Sequence, residues 1–130
     1  MSDVIVPPPP LIAVFRLGEG MLYGSDGLQI GPCYAGIGPY VNNVAACALK
    51  DQGPLPVGRY SIGAPIDDAQ TGPFSLPLTP DPSNLMFDRG GFLCHGDTAA
   101  HDHTASHGCP VADRPEREVV AQHQLLDVVA

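Results

Sequence analysis

The chain has 130 residues, 44% of them hydrophobic, enough for one domain with a real core and too many for wholesale disorder. Six Lys and Arg against fourteen Asp and Glu leave a net charge of −8, and no basic patch is visible, which argues against nucleic acid as a partner. Fifteen Gly and fifteen Pro between short apolar runs favour a β-rich domain with many turns over a helical bundle.

In chain order, residues 1–10 read as a flexible Pro-rich leader, with Pro7 to Pro10 extended, and residues 11–130 as a single domain. The first residues carry no Lys or Arg before an apolar stretch, and the prolines interrupt it, so no secretory signal is expected. Leu11 to Leu17 reads as a strand. Met21 to Tyr23 and Leu28 to Ile30 form a hairpin around Asp26-Gly27. Val41 to Leu49 fits a short helix or a loop, and Gly53 to Gly58 is a turn feeding a strand over Arg59 to Ile62. Phe74 to Leu78 is a further strand. Thr79 to Asn84 is a rigid loop, because each proline fixes its own φ and extends its predecessor. Gly91 to His95 is expected as the central strand. One C-terminal helix follows, capped by Asp113, with Pro115, Glu116 and Glu118 in its first turn and a stripe of Val119, Val120, His123, Leu126 and Val129. No run of roughly eighteen apolar residues exists to span a membrane.

The four cysteines, Cys33, Cys47, Cys94 and Cys109, show no CxxC spacing, so a zinc ribbon or thioredoxin-like pair is poorly supported. A Cys33–Cys47 bridge is arithmetically open, but buried free thiols are the plainer expectation for all but Cys109. Cys109 follows Gly108, whose freedom permits the sharp turn a nucleophile needs, and the amides of Gly108 and Cys109 are expected to line an oxyanion hole. His95 is the candidate general base. Strand alternation puts Leu93 and His95 on one face, and Phe92 and Cys94 on the other, making Cys94 a core residue. Arg89 fits either a carboxylate receptor or a salt bridge to Asp88 or Asp81. His101, His103 and His107, with Asp97 and Asp102, raise a metal-site reading, against which a solvated or substrate-contacting loop is weighed; no metal or cofactor is expected.

These residues carry a resemblance. His95-Gly96, a loop, then Ser106-His107-Gly108-Cys109 resembles the L,D-transpeptidase signature, and the wider pattern resembles the small type VI secretion L,D-transpeptidase effector family. Gly53 to Tyr60 is similar to that family's Gly-Pro-Ile-Pro-x-Gly-x-Tyr segment, and Leu78 to Asn84 to Leu-x-Pro-Asp-Pro-Ser-Asn. Arg89 to Asp97 is similar to Arg-Ser-Gly-Phe-x-x-His-Gly-Asp, and Ser106 to Pro110 to Ser-Glu-Gly-Cys-Ile. The resemblance implies a mainly β, L,D-transpeptidase-like sandwich or barrel with long loops. It implies Cys109 as acylated nucleophile, His95 as base, Gly96 as its orienting carbonyl, Gly108 and Cys109 as oxyanion hole, and Arg89, Ser106, His107 and Asp97 around the substrate.

Peptidoglycan stem tetrapeptides would be the substrate, with the terminal D-Ala removed or exchanged through a thioester. An immunity protein and a secretion-system component would be partners. The protein would be made in the cytoplasm and delivered to a rival's periplasm. Departures are Pro110 after the cysteine, Val111 where many relatives carry Arg or Asn, His107 for Glu, and Asp88 for Gly. The alternatives are another cysteine peptidoglycan hydrolase, disfavoured because His95 precedes Cys109, and a non-catalytic metal- or cell-wall-binding domain.

Overall fold

A computed structural model describes residues 6–101 and 103–130. The leader expected over 1–10 is thus described only from residue 6, where Val6 to Pro10 is exposed and irregular; the rest of it, and Asp102, lie outside the described residues. Eight strands make up most of the regular structure: β1 (Ile12–Arg16), β2 (Met21–Tyr23), β3 (Gln29–Pro32), β4 (Gly58–Ile62), β5 (Ile66–Asp68), β6 (Gly72–Pro80), β7 (Phe92–Cys94) and β8 (Leu125–Val129). One α-helix, α1 (Arg114–Val120), stands among them in the described residues. The protein is mainly β, as the composition suggested, with its sheet curled into a half-barrel.

The sheet runs β3-β2-β1-β8-β4-β6, with β5 and β7 both paired to β6. The β2–β3 pair is the hairpin expected around Asp26-Gly27, whose carboxylate accepts from the Leu28 amide at 3.0 Å. The long β6 is what gathers the functional end of the molecule. Its Leu78 pairs with Ile62 of β4 along one edge and with Phe92 of β7 along the other, while Gly72 and Ser75 pair with β5.

Three expectations are corrected here. The apolar stripe past Val120 is not helix: α1 stops there, and Leu125–Val129 forms β8 in the middle of the sheet, parallel to β1 and antiparallel to β4. Leu126 and Val128 are buried while Val129 is exposed, so a short apolar run with period two has been taken up by two neighbouring strands. A cross-strand Arg59–Asp127 pair, with contacts of 2.7 and 2.9 Å, helps set the β4–β8 register. Second, β7 is an outer strand on β6, not the central one. Third, Thr79 and Pro80 belong to β6, so the loop expected from Thr79 begins two residues later.

Val41 to Leu49 holds a 3-10 turn over Val44–Ala46 and no α-helix. Asp113 occupies the cap position of α1 but accepts no cap hydrogen bond; its carboxylate lies 3.4 Å from His101 Nε2. The helix is tied down instead at its far end. His123 Nδ1 lies 2.9 Å from the Val119 carbonyl, and its Nε2 accepts from the Ser25 amide at 3.1 Å. The core under the sheet centres on Phe15, Tyr60, Leu22, Leu76 and Leu126, all fully buried. No helix among the described residues is long and apolar enough to cross a membrane.

Candidate active site

The site grows from the outer edge of β7. In the β6–β7 ladder Leu76 faces Cys94 and Leu78 faces Phe92. Leu93 falls between them opposite Pro77, whose carbonyl is already taken by the Gly63 amide at 2.8 Å. The Leu93 amide therefore points away from the sheet, and Cys109 Sγ accepts it at 3.4 Å. Beyond β7 the chain continues beside the segment after Cys109. The His95 amide donates to the Pro110 carbonyl, and the Ala112 amide to the His95 carbonyl, both at 3.0 Å. Two distant stretches are thus sewn into one short parallel bridge, His95 to Val111, with the imidazole on it and Cys109 two residues before it.

Both side chains line a single cleft of about 410 Å³. The strand alternation expected from sequence holds for three of the four residues: Leu93 and His95 contribute to the cleft, and Cys94 turns into the core, where burial pushes its thiol up to about 12, whereas Phe92 belongs to the core and also borders the cleft. His95 Nδ1 lies 2.9 Å from the Gly96 carbonyl oxygen. A carbonyl only accepts, so Nδ1 carries the proton and Nε2 keeps its lone pair. Burial, then the nearby Arg117 charge, lower the His95 pKa against the Gly96 carbonyl and the Asp97 and Asp68 carboxylates. Burial likewise raises the Cys109 pKa, outweighing the Leu93 amide and the Arg89 charge. The resting pair is therefore neutral thiol and neutral imidazole.

The turn carrying Cys109 is held by Ser106, which is fully buried. Its hydroxyl donates to the Cys109 carbonyl at 2.6 Å and accepts from the amides of Gly36 at 2.9 Å and Gly108 at 3.0 Å. Ser106 is thus a turn-pinning residue with no surface to offer a substrate. The same bonds correct the expected oxyanion hole: the Gly108 amide is spent on Ser106, whereas the Cys109 amide has no partner among the described residues. Gly108 is needed for space. Its φ is +141°, and a Cβ there would sit 2.5 Å from Arg89 Nη2 and 3.1 Å from the Gly53 carbonyl oxygen.

Arg89 meets neither expectation. A tight turn with positive φ at Phe87 and Asp88, closed by the Arg89 amide on the Met86 carbonyl, swings the side chain inward. Its guanidinium donates to the carbonyls of Cys47 at 2.6 Å, Pro54 at 2.7 Å and Gly53 at 2.8 Å, with His107 at 3.5 Å. It borders the cleft as a clamp on the Gly53-Pro54 loop, with these donors committed to carbonyls and none in an ion pair with Asp88 or Asp81. Arg117 does the same on the other side, donating to Ala112 at 2.6 Å and Phe74 at 3.0 Å.

His107 lines the cleft, its Nδ1 3.2 Å from the Asp51 carbonyl. Asp97 does not. It accepts from Tyr34 Oη at 2.7 Å and the Thr98 amide at 2.8 Å, and borders a separate cavity of about 360 Å³ with His101 and His103. The three histidines considered as metal ligands are therefore divided between two cavities, and no three metal-ligating side chains cluster among the described residues. All four cysteines are free. Sequence reasoning missed Asp68, Thr71 and Lys50 in the cleft wall. Nothing local marks them: Asp68 and Thr71 reach the cleft only because β5 folds back on β6, and Lys50 comes from a turn distant in sequence.

The Tlde1 domain matches residues 30–128. Among solved structures, an L,D-transpeptidase from Stackebrandtia nassauensis is similar with a TM-score of 0.58 at 13% identity, over 95% of this chain and 57% of that one. An L,D-transpeptidase from Mycobacterium tuberculosis gives 0.56 at 18% identity, over 94% and 58%. The helical cell shape determining protein Pgp2 from Campylobacter jejuni gives 0.57 at 18%, over 92% and 47%. The likeness is one of fold, and the chain spans less than two thirds of these solved chains. No curated protein matches.

Proposed function

The chain belongs to the Tlde1 domain family, the type VI secretion L,D-transpeptidase effectors, and from that premise we propose that it is a peptidoglycan-modifying cysteine enzyme. It attacks the bond between the L-centre of the third stem residue and the terminal D-Ala of a tetrapeptide. The observation that carries this reading is the shared cleft of Cys109 and His95, with His95 Nδ1 engaged by Gly96 and its Nε2 lone pair left over.

In the reaction, His95 Nε2 takes the Sγ proton as the sulfur adds to the carbonyl carbon. Because both groups rest neutral, this is general-base activation during attack and not a preformed ion pair. The Cys109 amide donates to the developing oxyanion. As the tetrahedral adduct collapses, the imidazolium returns the proton to the departing D-Ala nitrogen, leaving a Cys109 thioester. Water on that thioester yields a tripeptide, and a D-amino acid yields exchange; His95 removes the proton in either case. His107, beside the cleft, contacts the stem. As an effector, the protein is delivered into a target cell, acts in its periplasm, and is countered by an immunity protein.

The test is mass spectrometry of tetrapeptide muropeptides incubated with the protein. Wild type releases or exchanges D-Ala, while Cys109→Ala and His95→Ala do neither. Product from either variant at the wild-type rate reassigns the site.

A further inference from the structure

Asp68 ends β5 and lines the cleft that holds Cys109 and His95. Its carboxylate is fixed in place: Oδ1 accepts from the Gln70 amide at 2.8 Å and the Thr71 amide at 2.9 Å as the chain turns into β6. No cation pairs with it among the described residues. Of the two cations in the same wall, Lys50 makes no ion pair with Asp68, and Arg89 turns both terminal nitrogens onto backbone carbonyls. The turn amides hold Asp68 below the ordinary carboxylate range, so it stays ionised. Its field weakly disfavours the Cys109 thiolate and favours the His95 imidazolium. A rigid carboxylate with no ion-pair partner among the described residues thus lines the cleft of Cys109 and His95, open to a cation from the substrate.

We propose that Asp68 is a specificity residue that holds an ammonium on the side chain of the third stem residue, the residue whose carbonyl Cys109 attacks. This rests on the stem-peptide reading above. The placement follows from proximity: a carboxylate sharing the cleft of the nucleophile addresses the residue at the scissile bond, not a remote end of the strand. Pairing gives the selected side chain a charge-assisted contact at the cleft wall. A third residue whose side-chain amine is acylated, as in a stem already used as a crosslink acceptor, leaves Asp68 buried under substrate without a partner and is rejected. The enzyme therefore acts on stems with a free amine.

The experiment compares two tetrapeptides with lysine as third residue, one with a free side-chain amine and one N-acetylated. Wild type prefers the free amine by about tenfold in kcat/KM, the scale of one charge-assisted contact. Asp68→Asn retains an acceptor for both turn amides and brings the ratio to about one; Asp68→Ser, also able to accept in such a turn, serves if the first variant does not fold. An unchanged ratio in these variants overturns the proposal, as does a wild type indifferent to acetylation. Affinities of both peptides for Cys109→Ala and for Cys109→Ala with Asp68→Asn are measured in parallel by calorimetry. If wild type turns over neither peptide, the stem-cleavage reading fails. An Asp68-dependent binding preference then upholds the inference, and equal affinities overturn it.

Discussion

Replacing Ser106 by alanine tests how Cys109 is held. The hydroxyl is fully buried and makes three hydrogen bonds, to the Cys109 carbonyl and from the Gly36 and Gly108 amides. At about 1 kcal/mol for each bond, and with two amides and a carbonyl left without partners in a dry site, the loss is about 3 kcal/mol. That is a large share of the roughly 5–15 kcal/mol that holds a domain together. In urea, with a slope of about 2 kcal/mol per molar, the midpoint falls by about 1.5 M. The turn loses the bond that fixes the Cys109 carbonyl, so turnover of tetrapeptide drops at least about tenfold even where the protein remains folded. The assay is equilibrium urea unfolding by circular dichroism, paired with D-Ala release at low urea. A midpoint within about 0.3 M of wild type at unchanged slope refutes the claim that Ser106 is what pins the turn.

Two further outcomes follow from the protonation states. Burial lowers the His95 pKa from 6.5, and only the neutral ring accepts a proton. Activity is therefore full above the ordinary histidine range and falls about tenfold per pH unit only below the depressed value, so the acid limb of kcat/KM lies under pH 6.5. The same sign applies to stability. The unfolded chain protonates His95 first, so stability is lost as pH falls from 6.5 toward the folded value, which urea midpoints at several pH values report. The thiols separate by burial: Cys109 is partly exposed, while Cys33, Cys47 and Cys94 are buried. An aromatic disulfide reagent titrates one thiol in the native protein, with the other three at least about 100-fold slower and released together in denaturant. Two fast thiols would show that the core opens locally around one of them.

Several features of this chain were legible because they are local. Alternation along Phe92 to His95 needs only the strand period, and it assigns Cys94 to the core and His95 to the cleft. The Asp26-Gly27 hairpin follows from turn chemistry within six residues. The requirement for glycine before Cys109 follows from the sharpness of the turn, with φ at +141°. What tertiary structure alone decided involves partners distant in sequence. Leu125 to Val129 carries an apolar pattern that continues a helical stripe as readily as it forms a strand, and β1 and β4 settle the matter by offering backbone partners on both sides. Arg89 reads as a free cation until the carbonyls of Cys47, Gly53 and Pro54 converge on it from some forty residues away. The Gly108 amide likewise reads as an oxyanion donor until Ser106 takes it. Asp68 becomes part of the site only because β5 folds back on β6. A residue's backbone preferences travel with the sequence; which donors and charges remain unspent depends on what the folded chain brings against them.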